Sequence, residues 1–151
     1  MIYRRVLPVF VCCILSIWNS GILAEEQALG LLSKPLSRPL SEVQTTISVQ
    51  AGKAHYAMCL GCHSPGYNRT GPMHCGVFGR QAGSQEGYQY SEALKASSLR
   101  WNRQALDLFL EAPTKMVPGT SMTFAGIPDA SVRTQLIDYL VTLAPEHKDC
   151  E

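Results

Sequence analysis

Neither sign of charge is in excess in this sequence: 13 Lys and Arg stand against 12 Asp and Glu, a net charge of +1 over 151 residues. That balance argues against an acidic disordered chain, and it lacks the basic excess that nucleic-acid binders carry. There is no strand-like alternation, no βαβ unit, no internal repeat and no low-complexity tract. No paired carboxylates and no nucleophile with an adjacent base point to chemistry on a substrate. The chain does have six cysteines, Cys12, Cys13, Cys59, Cys62, Cys75 and Cys150, in settings so different that they need not share one purpose.

Met1 to Arg5 carry two positive charges, Val6 to Trp18 form an apolar run, and Gly21-Ile22-Leu23-Ala24 leads into Glu25-Glu26. This is the pattern of a secretory signal peptide, residues 1–24, with cleavage near Ala24. The apolar run is shorter than the ~20 residues that cross a bilayer, so no stable membrane insertion is expected after cleavage. A lipoprotein would need a cysteine at the cleavage point, whereas Cys12 and Cys13 lie inside the apolar run. Cleavage removes Arg4, Arg5, Cys12 and Cys13, which leaves 11 basic and 12 acidic residues, a net charge of −1, and four cysteines in an oxidising compartment. Residues 25–46, with Pro35, Pro39, Ser33, Ser37 and Ser41 among scattered leucines, read as a linker or N-terminal extension. Residues 47–151 then form the domain.

The domain reads as all-α. Val49 to Cys59 suits a helix leading into a cysteine pair, and Ser91 to Ala96 makes one or two turns. Asn102 caps a helix with Leu106, Phe109 and Leu110 at helical spacing, stopped by Pro113. After Pro128, Asp129 caps the clearest helix, whose Val132, Leu136, Leu140 and Leu143 form one stripe before Pro145. The loops His63 to Tyr90 and Pro113 to Gly126 reach or exceed the usual ~12 to 15 residue limit for structureless connections, so something other than polypeptide is expected to fill the centre.

Cys59-Leu60-Gly61-Cys62-His63 is a C-x-x-C-H sequence, the c-type haem attachment signal. Two thiols on one turn can form thioethers with one porphyrin, and the next residue, His63, can give the iron an imidazole nitrogen. A thioredoxin-like redox pair lacks its βαβ context. A zinc site remains open, since Cys59, Cys62, His74 and Cys75 offer a Cys3His set. Of the methionines, Met58 precedes the attachment pair and Met73 lies close to it, whereas Met116 and Met122 flank a loop that can lie against the far haem face.

Thr70-Gly71-Pro72, Gly76-Val77-Phe78-Gly79-Arg80, Tyr88-Gln89-Tyr90, Trp101 and above all Pro118-Gly119-Thr120-Ser121-Met122-Thr123-Phe124-Ala125-Gly126-Ile127 resemble the small class I cytochromes c, in the mitochondrial and soluble bacterial carrier branch. The similarity runs from about Ala51 to Leu143. It implies a small cytochrome c fold wrapped around one covalent haem c, with Met122 as the sixth iron ligand opposite His63 and Met116 as packing. It also implies that Pro72 offers its carbonyl to the other ring nitrogen of His63, and that Arg80, Tyr90 and Trp101 surround the haem propionates. Gly52 and Tyr56, with Tyr139, match the crossing of the first helix on the last.

The sequence also departs from that branch. Leu94 and Phe109 stand where it commonly has a polar residue and a tyrosine near the haem, and the loop from His63 to Thr70 is shorter. Met58, Thr114 and Ser121 replace docking lysines, and Lys115 is kept, so the acidic partner of a lysine-ringed carrier is not implied. The resemblance brings the first loop near the end of the last helix, which implies a Cys75–Cys150 disulfide. His74 is expected on a solvated loop, His55 on a helix face and His147 on the tail surface.

The reading is therefore a monohaem one-electron carrier of the periplasm, His/Met-ligated and monomeric, working by outer-sphere transfer with redox protein partners and no nucleic acid. Two alternatives are an electron-accepting haem subunit of a periplasmic dehydrogenase, with Glu25 to Thr46 as binding arm, and a zinc-stapled binding domain.

Overall fold

Capping side chains and prolines set the helix boundaries in this chain. The computed structural model describes residues 39–151; the expected signal peptide and residues 25–38 of the expected linker lie outside the described residues. In chain order the helices are α1 (Leu40–His55), running into a 3-10 turn at Tyr56–Cys59, then α2 (Glu92–Lys95), α3 (Arg103–Glu111), α4 (Pro113–Met116), α5 (Ala130–Thr142) and a final 3-10 turn at Lys148–Cys150. Among the described residues the only extended pairing is one isolated antiparallel bridge, Gln81 to Arg100, and no helix is long and apolar enough to cross a membrane. The all-α expectation holds.

Asn102 accepts from the Ala105 amide at 2.8 Å and Asp129 from the Ser131 amide at 2.7 Å, so both expected N-caps close their helices. Ser91 does the same for α2 through the Leu94 amide. Pro113 ends α3, as expected, but also opens α4, where its missing N–H costs nothing.

Residues 40–46 are the first two turns of α1, continuous with the part read as helical. Leu40 and Ile47 are exposed, so this stretch has no apolar stripe for a periodicity argument to find. Thr45 and Thr46 turn their hydroxyls back to the carbonyls of Ser41 and Glu42, at 2.9 and 2.8 Å, which accommodates these polar β-branched residues within a helix.

Helix α5 packs on both α1 and α3. At the crossing with α1, a Cβ on Gly52 would stand 1.9 Å from the Gln135 carbonyl oxygen, so only glycine permits this approach. One turn on, the Tyr56 and Tyr139 rings meet edge to face with centroids 5.2 Å apart, as the resemblance implied. Leu136, Ile137, Leu140 and Leu143 are buried beneath them. On the α3 side, Arg133 is buried yet satisfied: its Nε donates to Asp107 at 2.7 Å, and its Nη1 to the carbonyls of Ile127 and Pro128 at 2.8 and 2.9 Å. One guanidinium thus ties α5 to α3 and to the loop that precedes α5.

The irregular segments are held by backbone bonds. His74 and Cys75 donate to the carbonyls of Ser64 and Pro65, and Gly76 donates to Leu143 at 2.6 Å. These bonds fold residues 64–76 back beneath the cysteine turn and against the end of α5. Cys75 and Cys150 come together there as a pair, with Cα atoms 5.8 Å apart and 75 positions between them in the chain.

Candidate functional site

The cysteine turn is built by its own backbone. The amides of Cys62 and His63 both donate to the Cys59 carbonyl, at 3.1 and 2.8 Å, which presents Cys59, Cys62 and His63 from one tight turn. Neither cysteine is in a disulfide; Cys59 is half-buried and Cys62 exposed. Burial, with a smaller contribution from Cys62, pushes the Cys59 thiol up to about 11.

His63 is buried, and its Nδ1 lies 2.7 Å from the Pro72 carbonyl oxygen. A carbonyl only accepts, so Nδ1 carries the proton and the lone pair is left on Nε2, available to a metal. Burial lowers the tendency of this imidazole to become charged, against the opposing pull of the Pro72 carbonyl. Gly71 lies against the ring: a Cβ there would come within 2.3 Å of Cε1.

These residues form one wall of a cavity of about 310 Å³. Cys59, Cys62, His63, Pro72, Arg80, Tyr90, Trp101 and Met122, brought from six separate stretches of chain, all line it. Leu94, Leu106, Phe109, Leu110, Leu136 and Leu140 supply apolar walls, and no carboxylate is among the lining residues. Of the other methionines Met58 lines the cavity, beside the cysteines, and Met116 and Met73 do not.

Arg80 is the one permanent charge in the lining. Its Nη1 donates to the Cys75 carbonyl at 3.0 Å and to the Gln85 side chain, and its Nη2 to the Met73 carbonyl at 2.9 Å. Its Nε is buried without a partner. An orphaned donor on a buried guanidinium is costly unless an acid occupies the space beside it. Trp101 is buried with its ring 5.0 Å from Phe109, and Tyr90 meets Tyr88 edge to face at 4.7 Å. Two thiols on one edge, an imidazole with a free Nε2, a thioether, apolar walls and one unanswered cation fit a covalently attached haem with its two propionates.

Two expectations are corrected here. A Cys3His zinc set of Cys59, Cys62, His74 and Cys75 does not form, because Cys75 is paired with Cys150, and no group of three or more His, Cys, Asp or Glu able to hold a metal occurs among the described residues. His74 is not on a solvated loop. It is partly buried, its ring stacks on His63 with centroids 4.2 Å apart and planes 20° from parallel, and Tyr56 Oη lies 3.0 Å from its Nδ1. Its position two residues after Pro72, whose carbonyl holds His63, was the available signal. Tyr88, which lines the cavity and donates to the Thr70 carbonyl at 2.6 Å, carried no role in the sequence reading beyond its motif. His55 lies on α1, bonded to Gln135 at 3.0 Å, and His147 accepts from the Asp149 amide at 3.1 Å.

No family model matches the chain. Over 84 residues it is 48% identical to a cytochrome c of Euglena viridis, spanning 54% of this chain and 82% of that protein. Over 97 residues it is 40% identical to a cytochrome c2 of Rhodopila globiformis, spanning 63% and 92%. The structure of cytochrome cH from Methylobacterium extorquens superimposes with a TM-score of 0.61 at 42% identity, covering 62% of this chain and 97% of that one.

Proposed function

From its membership of the class I c-type cytochromes, the family to which this chain belongs, we propose that it is a periplasmic one-electron carrier whose iron is held between His63 and Met122. It carries one covalently attached haem c, and it exchanges electrons with redox proteins rather than transforming a substrate. The observation that carries the ligand assignment is the shared cavity: His63 and Met122 line it together, while Met116, the alternative left open by spacing, does not.

When bound, the haem supplies a reversible one-electron exchange at iron. Cys59 and Cys62 hold it by thioethers from one turn. Pro72 fixes the His63 tautomer and leaves Nε2 free to hold the iron, and a thioether from Met122 would favour the ferrous state relative to a second imidazole. Arg80, through its unpartnered Nε, and Tyr90 and Trp101 beside it, serve the propionates. The leucines and Phe109 line the cavity with apolar surface and would keep water from a bound haem. Cys62 and Met58 are exposed, so the attachment edge is where a partner reaches the site.

Expression of the full chain in a host competent for haem attachment tests this reading. The expected product is a red periplasmic protein beginning at Glu25 and heavier by one haem. A ferric sulfur-to-iron charge-transfer band should vanish in Met122→His and persist in Met116→Leu. An unchanged band in Met122→His would overturn the ligand assignment, and recovery of the protein only from the cytoplasm would overturn the compartment.

A further inference from the structure

Most of the lining residues have a part in holding the haem; His74 has none. Its ring lies face to face with the axial imidazole of His63, 4.2 Å away, and touches no expected propionate partner by a hydrogen bond. We propose that His74, braced by Tyr56, is a positioning residue that sets the rotation of the His63 ring about its bond to iron. The proposal rests on His63 being an iron ligand and extends that reading to how the ligand is oriented.

A histidine bound through Nε2 and tethered through Nδ1–H to the Pro72 carbonyl is held at both ends of its ring. One freedom is left to it, rotation of the ring plane about the axis running through the iron. A flat partner lying nearly parallel to the ring opposes that rotation, because turning either plane drives edge atoms into the other face. A mobile partner would only follow the ring, so the brace on His74 matters.

That brace is complete. The His74 amide donates to Ser64 and Pro65 carbonyls at 3.2 and 3.1 Å, and the next residue is tied to Cys150. Its Nδ1 meets the Tyr56 hydroxyl at 3.0 Å, and the two rings stand edge to face at 5.6 Å. Tyr56 is 3% exposed, and its hydroxyl is held in place against Nδ1. Tyr56 in turn packs on Tyr139, whose hydroxyl donates to Asp149 at 2.8 Å, and Asp149 pairs with Lys53 at 2.7 Å. The axial ring is thereby referenced to α1, α5 and the C-terminal turn together.

The plane of an axial imidazole selects which iron d orbital shares unpaired spin with the porphyrin in the ferric state. Its orientation is therefore read directly in the pattern of the four haem ring-methyl proton resonances, and more coarsely in the reduction potential. The experiment uses the holoprotein as wild type, His74→Leu, His74→Phe and Tyr56→Phe. The expected result is a reordered or widened ring-methyl pattern in His74→Leu, a smaller change in the same direction in Tyr56→Phe, and partial restoration in His74→Phe, which keeps a flat partner but loses the hydroxyl bond. The potential should move in His74→Leu as well. Folded His74→Leu and Tyr56→Phe holoproteins with the wild-type ring-methyl pattern and potential would overturn the positioning role, even if both melted earlier. A wild-type ferric spectrum without coordinated-imidazole resonances would instead overturn the ligand reading on which it rests.

Discussion

Gly71 lies so close to His63 that a Cβ at position 71 would stand 2.3 Å from Cε1 and 2.6 Å from both ring nitrogens. The neighbouring carbonyl, that of Pro72, holds the same ring through Nδ1 at 2.7 Å. One dipeptide therefore both makes room for the imidazole and orients it.

Gly71→Ala should accordingly push the imidazole away from its place. Overpacking of this kind costs about 1–3 kcal/mol, and here the displaced group is the proposed ligand. The expected outcome is a lower melting temperature together with a partly high-spin ferric absorption spectrum. A variant with the wild-type spectrum would show that the ring can move aside without leaving the iron.

The Cys75–Cys150 pair closes a loop of 75 positions and sits beside His74. Breaking a link of this kind costs about 2–4 kcal/mol, chiefly by freeing the unfolded chain. Cys150→Ser should thus unfold at lower denaturant while still attaching haem, since Cys59 and Cys62 are untouched. Mass spectrometry of the non-reduced protein provides the direct check, and alkylatable thiols at both 75 and 150 would disprove the bond.

Asp149 accepts from Lys53 at 2.7 Å and from Tyr139 at 2.8 Å, and these two bonds, Lys53 first, hold its carboxyl below the ordinary carboxylate range. A carboxyl with a depressed folded pKa stabilises the fold above its unfolded pKa of about 3.9, and that contribution is lost as pH falls through the folded value. Asp149→Asn should be less stable than wild type between pH 5 and 7, and the two denaturation midpoints should converge in acid. A gap that persists unchanged at the lowest accessible pH would remove Asp149 ionisation as its cause.

With Arg80 the only permanent charge lining the cavity and Met58, Thr114 and Ser121 uncharged at the positions of docking lysines, long-range steering should be weak. Electron-transfer rates with a protein partner should fall less than about tenfold between low and physiological salt, whereas strongly steered pairs gain 10- to 1,000-fold from their charges. Stopped-flow measurement across ionic strength decides this, and a steep decline would show a charged docking face elsewhere on the surface.

Much of the site could be read from local order alone. The attachment cysteines and His63 are contiguous, so their geometry follows from a single turn, and the caps Asn102 and Asp129 act within three residues of themselves. The start of α1 could not be read this way. Leu40 and Ile47 are exposed, and without a buried face the residues between them carry no periodic signal. The choice of Met122 over Met116 needed the resemblance first, because both flank the same loop and spacing treats them alike.

By itself, then, the sequence determined the cysteine turn with its adjoining histidine and the all-helical frame, since each depends on neighbours within one or two turns. Only the tertiary structure decided the place of His74. Its ring reaches His63 because the Ser64 and Pro65 carbonyls fold the loop back through the His74 and Cys75 amides, and because Tyr56 arrives from the 3-10 turn after α1 to meet its Nδ1. A stack of that kind joins residues 11 and 18 positions from His74, with no helical or strand period between them, and exists only once the chain has closed on itself.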